Sequence, residues 1–183
     1  MDRITRRNFV RTVVLGTMAT ATPLVSYAAK ALKKQNPTQG KTMHKIMTVN
    51  GEIESSTLGW TLPHEHIMVD FIGAAKSGKH RYNSQEVIQT MLPYLKELRE
   101  RNISGFVDCT PMYLGRDVLI LKELSRLSGM HIITNTGQYK EPYLPEKSFT
   151  MTAEEIAKEW IAEFENGIEG NSIRPGFVKT AVN

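Results

Sequence analysis

Two histidines one residue apart are the first candidates for chemistry in this sequence. His64 and His66 close the stretch GWTLPHEH, which has the composition of a β-strand. Side chains at positions i and i+2 of a strand point to the same face, so the two imidazoles should project together, with Leu62 and Trp60 behind them. Neutral imidazoles are standard ligands for zinc and similar ions. The pair therefore predicts a metal site, and the alternative is two polar side chains that close a strand by chance.

Lys179 is the second candidate. It lies in an otherwise apolar segment, FVKTAV, which is typical of a buried strand. Burial disfavours a charged ammonium, and a neutral lysine amine can react with carbon dioxide to form a carbamate. A carbamate carries a negative charge and two oxygens that can bridge two cations. The alternative is a lysine at a strand end whose ammonium reaches solvent.

These residues belong to a regular alternation of strand and helix patterns. Asn-Gly between two β-prone segments first predicts a hairpin. Strand patterns follow near residues 60–69, 104–110, 131–136 and 175–182, separated by helix patterns over 83–101, over 117–127 and after Thr152. Thr152 and Glu155 have the spacing of a capping box at the start of the last helix. Such alternation predicts a parallel sheet covered by helices. Neither a Gly-x-Gly-x-x-Gly fingerprint nor a P-loop is present, which favours the N-terminal half of a (β/α)8 TIM barrel over a doubly wound sheet.

The first 28 residues have the pattern of a twin-arginine export signal. The segment TRRNFVR supplies paired arginines, an aromatic residue, an aliphatic residue and a further arginine. A mildly apolar stretch follows and ends in Ser26-Tyr27-Ala28, a pattern that suits signal peptidase. The sequence therefore predicts an exported, periplasmic protein handled by the twin-arginine machinery, with a flexible linker over 29–45 and a folded domain over 46–183.

The charge of the chain argues against a nucleic-acid partner. The sequence has 23 Lys and Arg against 19 Asp and Glu, a net charge of +4, but four arginines and one aspartate lie in the first 28 residues. The remainder holds 19 basic and 18 acidic side chains, which removes the main support for nucleic-acid binding.

Cys109 is the single cysteine, so no intrachain disulfide can form. Stability must come from a packed core or from metal.

Several stretches together resemble the phosphotriesterase family of the amidohydrolase superfamily over residues 46–183. They are TVNGEI, LGWTLPHEHIMVDF, GFVDCT, LGRDVLILKELSRLSGMHIITNTG and RPGFVKTA. The resemblance implies a (β/α)8 barrel and a centre of two divalent metal ions, usually zinc. It implies that His64 and His66 hold the more buried metal and that carbamylated Lys179 bridges both. It also implies small ester, lactone or organophosphate substrates, hydrolysed through a metal-bridging hydroxide.

The family pattern extends beyond this sequence. By the resemblance, two histidines on strands 5 and 6 and an aspartate on strand 8 complete the centre, and the sequence ends at Asn183, before all three. We therefore expect full activity to need sequence beyond Asn183 or a second chain. The alternative is a non-catalytic half-barrel. An open four-stranded sheet exposes apolar residues and an unpaired edge, which favours a homo-oligomer over a monomer.

Four further residues near the strand ends are considered as functional candidates, each on a weaker sequence signal than the histidines and Lys179. In a TIM barrel the catalytic face lies at the carboxyl ends of the strands, so the candidate site is expected there. Asp108 is expected to be a structural carboxylate near this rim of the sheet. His131 begins the third strand and should lie away from the catalytic face. Tyr139 and Tyr143 follow that strand on the catalytic face, and Tyr139 is the candidate substrate-binding residue, against the alternative that both rings only pack in the loop.

Overall fold

The computed structural model describes residues 44–181. The predicted export signal over 1–28 lies outside the described residues, as does nearly all of the predicted linker. The first strand begins at Lys45, one residue before the expected start of the domain. The described residues contain no helix with the length and apolar character that a membrane crossing requires.

Strands and helices alternate through the described residues, as predicted. The strands are β1 (Lys45–Thr48), β2 (Gly51–Glu54), β3 (Trp60–Glu65), β4 (Ile103–Asp108), β5 (His131–Ile133), β6 (Asn135–Thr136) and β7 (Phe177–Val178). The α-helices are α1 (Ser84–Glu100), α2 (Val118–Ser128) and α3 (Ala153–Asn166). Short 3-10 turns lie at Ser55–Thr57, Lys79–Arg81, Glu146–Phe149 and Ile168–Gly170.

The predicted hairpin is present, with its turn one position earlier than the Asn-Gly pair suggested. Strands β1 and β2 are antiparallel, and Thr48 pairs with Gly51 on either side of a Val49–Asn50 turn. The hydroxyl of Thr48 accepts from the backbone N–H of Asn50 at 3.2 Å and donates to the carbonyl of Gly51 at 2.8 Å. The N–H of Val49 donates to the carbonyl of Ile132 at 2.9 Å, which anchors the hairpin against β5.

The remaining strands are all parallel to their neighbours. Strands β3, β4 and β5 form one sheet in that order, and β6 pairs with β7 in a second. The single strand predicted over 131–136 is thus divided at Thr134, and its two parts pair with different neighbours. His131 opens β5, so it lies at the amino end of the strand, away from the carboxyl ends where the candidate site was predicted.

Each α-helix begins at a side chain that caps it. Asn83 accepts two backbone N–H groups at the start of α1, and Asp117 does the same for α2. Helix α3 begins with the predicted capping box, in which Thr152 and Glu155 bond each other's backbone N–H groups. An N-cap contact contributes about 1 kcal/mol, so these local bonds fix where each helix starts.

The apolar core lies between the parallel sheet and helices α1 and α2. The strands contribute Phe106 and Ile132, and the helices contribute Leu95, Leu121 and Leu124, all at most 4% exposed. Full burial of such a side chain contributes about 1.5–3 kcal/mol. This layer holds the strands in register and therefore sets the positions of the residues at their carboxyl ends.

Candidate metal centre

A β-bulge in β3 determines which way the two histidines face. Leu62 pairs with Phe106 and Glu65 pairs with Asp108, so three steps along β3 match two steps along β4. An extra residue of this kind inverts the alternation of side chains beyond it. Leu62 accordingly packs against the core beneath the helices, whereas the side chain of His64 is exposed.

The prediction that Leu62 and Trp60 stand behind the histidines on one face is therefore wrong. Trp60 is 80% exposed, and Leu62 faces the helices because the bulge separates its face from that of His64. The two imidazoles themselves remain together. The ring centroids of His64 and His66 are 5.6 Å apart, and the rings are inclined by 58°. Both residues are exposed, so their rings lie outside the apolar core.

His66 is held at the end of β4. Its Nδ1 lies 2.9 Å from the hydroxyl oxygen of Thr110. Burial lowers the pKa of His66 below its ordinary value, His64 and the positive charge of Lys179 lower it further, and Glu65 opposes them. The lowered pKa favours the neutral imidazole, which is the form that donates a lone pair to a metal.

Lys179 lies immediately after β7. The strand predicted over 175–182 is shorter than expected, and Lys179 is half-buried beyond its end. The N–H of Lys179 donates to the carbonyl of Thr136 at 2.7 Å, which holds this backbone beside β6. The Lys179 charge lowers the pKa of His66 and partly offsets the rise in the pKa of the Cys109 thiol that burial causes. Lys179 therefore acts electrostatically on the same site as the two histidines.

Gly137 allows the backbone of Lys179 to lie close to the end of β6. A Cβ at position 137 would overlap the backbone carbonyl of Lys179, and Gly137 has a φ of 114°, which side chains rarely adopt. The sequence marks Gly137 only as the end of a strand. Its contact with Lys179 arises from the pairing of β6 with β7, which no local pattern reveals.

Asp108 ties the ends of β3 and β4 together. It is 1% exposed, and its carboxylate accepts the backbone N–H groups of Ile67 and Thr110, each at 2.9 Å. Burial raises the pKa of Asp108 to about 6, against the lowering effect of these hydrogen bonds and of Arg116. These contacts agree with the predicted structural role and set the backbone on either side of the histidine site.

The Gly-Arg-Asp segment before α2 joins the helices to the sheet. The buried side chain of Arg116 makes two contacts of 2.8 and 2.7 Å with Glu163 of α3 and donates to the carbonyl of Asn135 at 2.8 Å. Asp117, the cap of α2, accepts the hydroxyl of Tyr82 at 2.6 Å. This segment therefore supports the architecture around the site.

Tyr139 belongs to a row of three aromatic rings. The ring centroids of Tyr139 and Tyr143 are 5.8 Å apart, and Tyr143 meets Phe71 edge to face at 5.3 Å. Phe71 follows β3 and both tyrosines follow β6, so the row joins two loops beyond the carboxyl ends of the strands. Tyr143 is the middle ring and packs on both sides, and Tyr139 and Phe71 form the two ends of the row.

The donor set fits part of a metal centre. Within residues 44–181, no three His, Cys, Asp or Glu side chains converge as they would in a complete site. The described donors are the imidazoles of His64 and His66 and the amine of Lys179, which supplies oxygen ligands only as a carbamate. Imidazole nitrogen and carbamate oxygen suit zinc and other divalent ions, and a four-coordinate zinc site would need further ligands.

The residues that form this site lie in a region that is similar to known proteins. A sequence profile of the Phosphotriesterase family matches residues 44–183. The aryldialkylphosphatase of Saccharolobus solfataricus is 31% identical over 131 residues, which are 72% of this chain and 42% of that protein. The N-acetyltaurine hydrolase of Salmo salar is 29% identical over 161 residues, with coverage of 73% and 46%. The structure of an organophosphorus hydrolase from Deinococcus radiodurans has a TM-score of 0.65 and 29% identity, with coverage of 75% and 44%.

The chain thus spans less than half the length of these relatives. The matched region includes both histidines, Lys179, the aromatic row and the Gly-Arg-Asp segment. The sequence profile covers every residue that the structure describes. The chain belongs to the phosphotriesterase family.

Proposed function

We propose that this chain supplies His64, His66 and Lys179 to the metal centre of a phosphotriesterase-like hydrolase that acts on ester, lactone or phosphotriester bonds. The observation that carries the proposal is that two adjacent imidazoles and the charge of Lys179 act on one site beside the carboxyl ends of parallel strands. Relatives named as an aryldialkylphosphatase and an organophosphorus hydrolase support the reaction class.

The proposed architecture is the N-terminal half of a (β/α)8 barrel, with β5 and β6 counted as one barrel strand. The parallel strands follow chain order from β3 to β7, and a helix lies between successive barrel strands. This arrangement supports a TIM barrel, a fold whose catalytic residues lie at the carboxyl ends of the strands. The histidine face of the sheet would then line the barrel interior.

The proposed cofactor is a pair of divalent ions, with zinc the first choice. His64 and His66 would hold one ion, and carbamylated Lys179 would bridge it to the second. Such ions, when bound, activate water and polarise a carbonyl or phosphoryl oxygen. The chain's own contribution is a partly buried His66, whose neutral form burial favours, and a Lys179 amine close enough to act on the same site.

The aromatic row is the proposed substrate-binding surface. Tyr139 would contact the substrate, supported by Tyr143 of the same loop and by Phe71 of the neighbouring loop. Phe71 is 58% exposed, so the row offers apolar surface next to the carboxyl ends of the strands. Such a surface suits the aryl or alkyl group of a small ester, lactone or phosphotriester.

Zinc binding by the whole chain tests the two histidines. Competition with a chromophoric chelator would measure the zinc dissociation constant of the wild-type chain, His64→Asn and His66→Asn. Removing a hydrogen-bond partner of a metal ligand typically weakens metal binding by roughly 10–100-fold. Removing a ligand itself should weaken zinc binding by at least as much in each variant. His131→Asn is the matched control, because His131 lies at the amino end of β5, away from the proposed site. This variant should bind zinc as the wild type does. Equal binding by all four proteins would contradict the proposal.

Turnover at equal zinc loading tests whether the chain alone is catalytic. An aryl phosphotriester, an aryl ester and a lactone would be assayed with the wild-type chain and with Lys179→Met. Hydrolysis that depends on zinc and on Lys179 supports the hydrolase. Zinc binding without turnover of any substrate would show that the chain alone is not catalytic, as expected of a partial metal centre and of a non-catalytic half-barrel alike.

Carbamylation of Lys179 has its own test. The amine nitrogen bonds to the carbon of carbon dioxide and releases a proton, so ¹³C-labelled bicarbonate should produce a carbamate signal in the ¹³C NMR spectrum. That signal should vanish in Lys179→Met and persist in Lys122→Met, in which an exposed lysine of α2 is replaced. A signal that survives Lys179→Met, or no signal in the wild type, would contradict the carbamate.

Export and assembly are further proposals. The TRRNFVR segment supports export through the twin-arginine machinery, and replacing Arg6 and Arg7 by lysine should leave the protein in the cytoplasm after cell fractionation. Exposed apolar side chains at Phe71, Ile72 and Val178 support a homo-oligomer. Sedimentation velocity would test it, and a monomer across the accessible concentration range would contradict it.

A further inference from the structure

The hydroxyl of Thr110 lies within hydrogen-bond distance of two groups, the carbonyl of Met68 and the ring of His66. Thr110 Oγ1 donates to the carbonyl oxygen of Met68 at 3.2 Å and lies 2.9 Å from Nδ1 of His66. A hydroxyl carries one proton, and a carbonyl oxygen can only accept. With that proton directed at Met68, the bond to His66 forms only if Nδ1 carries a proton and donates it to Thr110.

We propose that Thr110 is a positioning residue that holds His66 in the tautomer with its proton on Nδ1, which leaves the lone pair of Nε2 for the metal. The inference rests on the proposed metal centre and deepens it, because it assigns the ligating atom of His66. A hydrogen bond at one ring nitrogen generally sets which nitrogen of a histidine binds metal, and such partners also fix the orientation of the ring.

Thr110 is itself held firmly enough to act in this way. It is 1% exposed, and its N–H donates to the carboxylate of Asp108 at 2.9 Å. The side-chain amide of Asn135 donates to the carbonyl of Thr110 at 3.0 Å. The other carboxylate oxygen of Asp108 accepts the N–H of Ile67, next to His66, at 2.9 Å. The buried carboxylate of Asp108 therefore joins the backbone segment of Thr110 to that of His66.

The contact is specific to one of the two histidines. Across residues 44–181, His66 makes this hydrogen bond, whereas no side-chain hydrogen bond holds the ring of His64, which lies against the ring of His66. Loss of the Thr110 hydroxyl should therefore change the tautomer of His66 and leave that of His64 unaltered. His64 is the internal reference for any measurement on His66.

Two substitutions separate the hydroxyl from the shape of the side chain. Thr110→Val keeps the branched shape and removes the hydroxyl, and Thr110→Ser keeps the hydroxyl. The ¹⁵N NMR signals of the histidine rings in the metal-free 183-residue chain would report the tautomer, with His66 assigned by the loss of its signals in His66→Asn. Zinc affinity would be measured in parallel by chelator competition, and thermal unfolding would verify that each variant is folded.

The expected result is a proton on Nδ1 of His66 in the wild type and in Thr110→Ser. In Thr110→Val this preference should be lost, and zinc should bind roughly 10–100-fold more weakly, as for other partners of metal ligands. A proton on Nε2 of His66 in the wild type would overturn the inference, whether or not Thr110→Val folds. Unchanged tautomer and zinc affinity in folded Thr110→Val would overturn it too.

The same experiment distinguishes this inference from the proposed function. The tautomer is measured without metal, so a wild-type chain with Nδ1 of His66 protonated but no affinity for zinc would support the Thr110 contact and contradict the metal centre. Zinc binding by a wild type with the proton on Nε2 would support the metal centre and overturn the assignment of the ligating atom.

Discussion

Gly137 and Lys179 meet backbone to backbone where β6 and β7 end. Lys179 donates its N–H to the carbonyl of Thr136 at 2.7 Å, and its own carbonyl lies in the space that a Cβ at position 137 would occupy. The position of the proposed bridging lysine therefore depends on the absence of a side chain on the neighbouring strand.

Gly137→Ala should destabilise the fold more than Gly51→Ala does. The two glycines have similar φ values, 114° and 107°, but a Cβ at Gly51 would meet open space. We expect Gly51→Ala to lower the free energy of unfolding by about 1–2 kcal/mol through backbone strain alone. Gly137→Ala should lose about 1–3 kcal/mol more from overlap with Lys179. Urea unfolding measures both, and equal losses would show that the close contact contributes nothing.

Glu163→Gln should be strongly destabilising because it removes the nearer carboxylate partner of the buried Arg116 and leaves Glu169, 3.8 Å away, as the remaining one. The side chain of Arg116 is 0% exposed and that of Glu163 is 14% exposed. Breaking such a pair costs about 3–5 kcal/mol. Glu159→Gln, which removes the exposed ion pair with Lys147, should cost at most about 1 kcal/mol. Chemical unfolding of both variants tests this order, and similar losses would contradict it.

Asp108 should make the metal-free protein less stable as the pH rises from about 4 to about 6. Its pKa is raised from 3.8 to about 6 in the folded state, so over this range the unfolded chain releases the proton while the folded chain keeps it. By linkage the free energy of unfolding then falls, by about 3 kcal/mol in all, and this contribution is constant above the folded pKa.

Asp108→Asn isolates that contribution from the other titrating groups. The variant should lack this fall, so the difference in unfolding free energy between wild type and variant should itself change between pH 4 and pH 6.5. Urea unfolding in the presence of a chelator would measure it. A pH-independent difference would mean that Asp108 titrates in its ordinary range.

Tyr143→Ala should loosen the two loops that the aromatic row joins. Tyr143 contacts both Phe71 and Tyr139, and an aromatic pair contributes about 0.5–1.5 kcal/mol beyond its buried area. Hydrogen exchange should become faster in residues 69–78 and 138–145. Phe149→Ala, at a 61% exposed position nearby, should leave exchange in both segments unchanged. Equal exchange in the two variants would show that the row does not couple the loops.

The features that the sequence predicted well are those with local causes. Thr152 and Glu155 cap α3 as predicted, because both partners lie within one helical turn. His64 and His66 lie together because side chains two residues apart on an extended chain share a face. The placement of Leu62 failed because the bulge between Leu62 and Glu65 depends on the register with β4, a strand about forty residues further along the chain.

The sequence by itself determined the order of strands and helices, the residue types of the candidate site and the family resemblance. Only the tertiary structure decided which partners those residues meet. The contact of Thr110 with His66, that of Gly137 with Lys179 and the change of partners at Thr134 each join segments that are distant in sequence or belong to different strands. Such contacts follow from strand register and core packing, which depend on the whole chain at once, whereas capping and periodicity depend on a few neighbouring residues.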